Sequence, residues 1–184
     1  MDSGLTMTPK QSGRAAGSAQ QRRVFKSLYT PRQRERRDAT RWTLVQGILA
    51  PVQFLVFAVS VVLVLRSLLT GEGVVAAHAS IIVKTMLLYT IMVTGAIWEK
   101  VVFGQYLFAK AFFWEDVVSF VVIAIHTVYL VGLLTGRLST RSLFLVALCA
   151  YSVYVVNAVQ FVLKLRAARL QEARNAAQRA AVSA

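Results

Sequence analysis

Four stretches of the chain, from about Trp42 to Leu65, Ala77 to Trp98, Phe112 to Leu134 and Ser142 to Leu163, are apolar almost throughout. Each reaches the roughly 20 residues a helix needs to cross the hydrocarbon of a bilayer. A mean hydropathy of +0.57, with 57% apolar residues, is too high for an ordinary soluble domain of 184 residues. Turn signals separate the stretches: TGEG at 70–73, TGRLST at 135–140, and the longer KVVFGQYLFAKA at 100–111. Connections this short make neighbouring helices antiparallel. Pro51 falls inside the first span, where it removes a backbone hydrogen bond and is expected to kink the helix. The expected fold is therefore all-α: a polytopic four-helix transmembrane bundle over residues 41–165 with disordered basic tails. The N-terminal tail, 1–40, is expected to be largely disordered. The C-terminal tail, 166–184, is basic and can be helical.

A net charge of +13 usually suggests nucleic acid. Here position excludes it, because ten of the 21 Lys and Arg lie in residues 1–41 and five follow Leu163, on either side of an apolar body. Such tails suit an anionic membrane surface. The stretch SGRAAGSAQQRR reads as disordered, and YTPRQRERRDATR leading to Trp42 reads as a basic collar at that surface. The first 40 residues contain no apolar core of a signal peptide, so the tail is expected to stay on the protein. The two tails and the middle loop together carry seventeen Lys and Arg, against three (Arg66, Arg137 and Arg141) in the other two loops. The asymmetry places both termini in the cytoplasm. Cys149 has no partner thiol and reads as packing.

WEK at 98–100 and WED at 114–116 then share one membrane face, which makes Glu99, Glu115 and Asp116 neighbours. Carboxyls crowded at the edge of a low-dielectric slab lose hydration and repel one another, and both effects favour keeping a proton. One of the three can then act as a general acid near neutral pH. A structural role explains the same residues: Glu115 and Asp116 at the positive end of a helix, Glu99 paired with Lys100, and Trp98 and Trp114 in an aromatic belt.

Glu115, Ser119, Val122 and His126 recur at i, i+4, i+7 and i+11, one stripe of the third helix. His126 lies about 16 Å further in than Glu115, near the midplane. It can hydrogen-bond a neighbouring helix, or serve as an axial ligand or proton relay. Lys84, about seven residues inside the second span, can snorkel or function; His78 reads as interfacial. Gln46 with Gln53, and Asn157 with Gln160 and Lys164, form two further polar stripes, suited to interhelical hydrogen bonds or to a cavity lining.

No HExxH, GxSxG, phosphate-binding loop, GxGxxG or Cys/His cluster occurs, which leaves acid–base chemistry. The runs WTLVQGILAPVQFLVF, KTMLLYTIMVTGAIWEKVVFGQYLFA, AFFWEDV and YVVNAVQFVLKLRAARL resemble the membrane-bound vinyl bacteriochlorophyllide hydratase family over roughly residues 40 to 170. The resemblance implies addition of water to the 3-vinyl group (2-vinyl in older nomenclature) of chlorophyllide a or its bacteriochlorophyllide counterpart, with no cofactor. It implies a magnesium chlorin substrate, a place in the bacterial inner or intracytoplasmic photosynthetic membrane among lipids and neighbouring pathway enzymes, and no nucleic-acid partner. Under it, Glu115, Asp116 and Glu99 are the catalytic candidates, with acid and base not distinguished. His126 is a candidate axial ligand to the substrate's magnesium, the protein holding no metal of its own. Lys100 and Lys110 face the propionate, and Ser119, Trp98 and Trp114 line the pocket. A tetrapyrrole-delivery factor would use the same pocket without chemistry, and a small proton-coupled exporter would use Glu99 or Lys84; turnover of chlorophyllide separates the first from the hydratase.

The topology is testable directly. Reporter fusions at Ala184 and within the TGEG turn should report opposite sides of the membrane; the same side for both would remove the four-span arrangement.

Overall fold

In the computed structural model, residues 28–183 are described, and the sequence expectation for residues 12–23 lies outside them. Five helices follow in order: α1 Pro31–Ala39, α2 Arg41–Thr70, α3 Val74–Phe103, α4 Phe113–Thr135 and α5 Thr140–Ser183. The last four are long and apolar enough to cross a membrane. Three of them, α2, α3 and α5, overrun the expected spans, while α4 matches its span to within one residue at each end. The extra turns of α2 and α3 run out to glycine C-caps at Gly71 and Gly104, which a count of apolar residues leaves out.

The helix α1 departs from the expectation of a largely disordered segment up to residue 40. Its sequence supplies a capping box: Thr30 Oγ1 accepts from the Gln33 amide, and the Thr30 amide donates to Gln33 Oε1 at 2.9 Å, with Pro31 at the first helical position. Thr40 ends α1 and caps α2 by accepting from the Trp42 amide. Thr43 Oγ1 donates back to the Arg37 carbonyl at 2.6 Å. Tyr29 is buried and stacks on Phe103 with ring centroids 5.8 Å apart. The helix α2 continues through Pro51 without interruption. The turn from α2 to α3 runs through Gly71 (φ 76°) and Gly73 (φ 73°), a left-handed backbone that a side chain would strain.

Polar side chains join the spans around the bundle. Trp98 Nε1 donates to Thr43 Oγ1 at 2.9 Å and Gln46 Nε2 to Thr94 Oγ1 at 2.7 Å, tying α2 to α3. His78 Nδ1 meets Tyr129 Oη at 2.6 Å between α3 and α4. Asn157 Nδ2 donates to Ser119 Oγ at 2.8 Å between α5 and α4. The ring closes at Ser60, whose hydroxyl meets Ser80 Oγ (2.7 Å) on α3 and Tyr151 Oη (2.6 Å) on α5. An apolar cluster of Val64, Ile81, Leu143, Phe144 and Ala147 fills the end away from the acids. Outward-facing residues are large and apolar, among them Leu44, Val59, Leu69 and Leu134, while Ser60, Lys84, His126 and Asn157 point inward. That polarity suits hydrocarbon outside the bundle. Residues 29–167 form one compact unit, and α5 beyond Ala167 lies outside it.

Ser60→Ala leaves Ser80 and the buried Tyr151 hydroxyl short of a partner and should destabilise the bundle by about 1–2 kcal/mol. Unfolding by denaturing detergent in mixed micelles measures this; an unchanged midpoint would remove Ser60 as the closure point.

Candidate active site

Between α3 and α4 the chain runs through residues 104–112, and this connection decides what the three acids can do. Gly104 (φ 88°) ends α3, and Lys100 Nζ donates to its carbonyl at 3.0 Å rather than pairing with Glu99. Phe108 is the one non-glycine with positive φ (59°) among the described residues. For a bulky side chain that conformation is strained and persists only where other contacts hold it. The contacts are present. The Phe108 amide donates to Asp116 Oδ2 at 2.7 Å, and the next amide, Ala109, donates to Glu99 Oε2 at 3.2 Å. Two successive peptide groups therefore hold two carboxyls that arrive from different helices. The carboxyls of Glu99 and Asp116 are thereby held side by side.

Glu115 is adjacent but held differently. Its Oε2 accepts from Lys164 Nζ on α5 at 2.5 Å, and the same ammonium also donates to the Ala111 carbonyl. All three acids are buried, at 5% exposure for Glu99, 6% for Glu115 and 4% for Asp116. Trp98 and Phe103 pack edge-on against Phe112, which stacks on Phe161, and Lys164 Nζ lies 5.1 Å from the Phe112 ring centroid. Beside them Phe108 stacks on Phe120 (5.4 Å, 13°) and packs against Phe113, and all three rings are partly exposed.

The structure brings Glu99, Asp116 and Glu115 together, as expected. Trp98 sits against them as a half-buried side chain whose N–H is used by Thr43, while Trp114 is exposed. Lys100 and Lys110 are exposed on the same loop side. Ser119 is committed to Asn157 one turn inside. His126 is not brought to the acids. It is fully buried, its ring 5.8 Å from that of Tyr151, and its Nε2 has no partner. Sequence reasoning missed Lys164 as the partner of Glu115. The stripe Asn157, Gln160, Lys164 put the lysine on a polar face of the last span, but spacing along one helix does not name a partner on another.

Lys164→Met strands the Glu115 carboxylate and should cost about 2–3 kcal/mol, less than a fully buried pair because Lys164 is partly exposed. Glu115→Gln should cost much less, since Lys164 can turn to water, and the double variant should recover most of the loss. Detergent unfolding of the three variants reads this; equal losses for both single changes would contradict it.

A profile of the 2-vinyl bacteriochlorophyllide hydratase family matches residues 29–167, the same residues that form the compact bundle. The chain is 68% identical over 148 residues to the 2-vinyl bacteriochlorophyllide hydratase of Rhodobacter capsulatus, covering 80% of this chain and 86% of that one. It is 71% identical over 143 residues to the protein of the same name from Cereibacter sphaeroides, covering 78% and 89%. No solved structure matches the chain. With a match across the whole bundle, acids and connecting loop included, the chain belongs to the 2-vinyl bacteriochlorophyllide hydratase family.

Proposed function

We propose that the chain hydrates the C3 vinyl group of chlorophyllide a or a vinyl bacteriochlorophyllide, giving the 3-(1-hydroxyethyl) product, with Glu99 and Asp116 as the proton-transfer pair. The observation that carries this is the pair's geometry: two buried carboxyls from different helices, held side by side by two successive loop amides. Carboxyl groups hydrogen-bond to each other only when one carries a proton. Such a pair holds an acid and a base side by side.

Hydration uses both. The neutral carboxyl gives its proton to the terminal vinyl carbon, and the π electrons of the double bond form the new C–H bond. The positive charge left on the inner carbon spreads into the macrocycle and is steadied by the neighbouring carboxylate. Water adds to that carbon and gives up a proton to the carboxylate, which restores the shared proton. One water is consumed and nothing is oxidised. Glu115, neutralised by Lys164, supports the site without exchanging protons. The exposed rings of Phe108, Phe113 and Phe120 offer the macrocycle an apolar face beside the pair, and Lys100 or Lys110 receives its propionate. The substrate's magnesium takes no ligand from His126 in this arrangement. Both termini face the cytoplasm, supported by the Lys and Arg asymmetry.

Glu99→Gln and Asp116→Asn keep size and hydrogen bonding but remove the exchangeable proton. Each should lower turnover by about 10²-fold or more. Glu115→Gln should lower it far less. Vinyl hydration is followed by the blue shift of the pigment's red absorption band in membranes matched for protein amount. Near-wild-type rates in both pair variants would sink the assignment.

A further inference from the structure

The middle of the bundle holds a row of polar atoms that the acid pair does not use. Lys84 is completely buried, and its Nζ has no hydrogen-bond partner; the amine lies 3.7 Å from the ring centroid of Tyr154. His126 is completely buried as well. Its Nδ1 lies 2.8 Å from the Val122 carbonyl, which can only accept, so Nδ1 carries the proton and Nε2 presents a bare lone pair. That Nε2 has no partner either. Toward the acids, Gln53 is buried with neither amide atom paired, and Asn157 Oδ1 is unpaired although its Nδ2 is used. Gln160 Oε1 follows on the same helix.

These atoms lie in levels. With α2 and α5 antiparallel and Ser60 fixed at Tyr151, stepping seven residues back along α2 and six forward along α5 brings Gln53 and Asn157 to one height. Between these levels sit Lys84, Phe57 and Tyr154. On α4, His126 is seven residues from Ser119, about 10 Å, and Ser119 is one turn from Glu115. Donors and lone pairs thus run from the midplane to within a turn of the acid cluster, past Leu88 and Val122 as apolar walls.

An unpaired buried polar atom costs about 1–3 kcal/mol, and a buried ammonium more. The rings of Phe57, Tyr151 and Tyr154 around Lys84 Nζ compensate its charge but accept no conventional hydrogen bond, so four side chains on four helices are left with unpaired polar atoms and call for a common partner that both donates and accepts. We propose that the row binds water: about three or four molecules in single file at about 2.8 Å spacing, held by Lys84, His126, Gln53 and Asn157 and leading to the acid pair. The function follows from the reading above, on which this part rests: a macrocycle lying over Phe108 and Phe120 shuts the pair off from interfacial water. The co-substrate then arrives from inside the bundle. Lys84 and Asn157 are positioning residues for water, touching neither pigment nor the reacting carbon.

X-ray radiolysis generates hydroxyl radicals from bound water in place, and labelling of Tyr154 in the unmodified protein tests the file without reference to activity. Tyr154 should be labelled within milliseconds, and Phe144, buried in the apolar cluster, should not; the loss of Tyr154 labelling in the variants below separates labelling by the file from labelling by outside solvent. Lys84→Met and Asn157→Leu should each reduce Tyr154 labelling severalfold and lower kcat by about tenfold, with KM for the pigment within about twofold of wild type. Tyr154 labelled no more than Phe144 overturns the file even if hydration is confirmed. Labelling of Tyr154 in a protein that does not hydrate pigment would leave the file standing and remove only its use. Undiminished kcat in both folded variants overturns the delivery role.

Discussion

Two peptide groups hold the centre of this protein. The amides of Phe108 and Ala109 point the same way because Phe108 takes a left-handed backbone, and each meets a carboxyl from a different helix. Without that pair of bonds, Glu99 and Asp116 would approach as uncompensated neighbours and α3 would part from α4 at this end. Strain at Phe108, of order 1–3 kcal/mol, is offset by two charge-assisted hydrogen bonds. The local backbone, the helix packing and the chemistry are therefore one feature seen at three scales.

Away from that end, the bundle inverts the usual distribution of polarity. Side chains such as Leu69 and Leu134 face out, while hydroxyls, amides and two titratable groups face in. Apolar packing alone does not select one arrangement among lipid-like surfaces, so interhelical hydrogen bonds specify it. Ser60 shows the economy of this: one hydroxyl fixes the relative height of α2, α3 and α5.

Much of the fold was legible because its determinants are local. Four apolar runs, two glycine turns and a basic asymmetry are readable without any knowledge of packing, and so is the meeting of Glu99 with Glu115 and Asp116 across one loop. The capping box at Thr30 and Gln33 was equally local and was passed over because the surrounding charge resembled a disordered tail. What could not be read was pairing at a distance. Lys164 lies 49 residues from Glu115, and nothing in either segment marks the other as its partner. Spacing put His126 on the same stripe of one helix as Glu115, but a stripe does not say which neighbour it meets. Periodicity gives a residue's face, and only the packing of helices gives its companions.

The separation of the three acids follows from charge arithmetic in a low dielectric. Three carboxylates together would repel strongly, and removing all their charge would leave nothing to steady a cation. Lys164 pairs with Glu115, and the successive amides of Phe108 and Ala109 each hold one of the other two carboxyls, Asp116 and Glu99. The three acids are thus compensated by different means: one by an ammonium that reaches across from α5 to α4, two by peptide groups of the loop that joins α3 to α4.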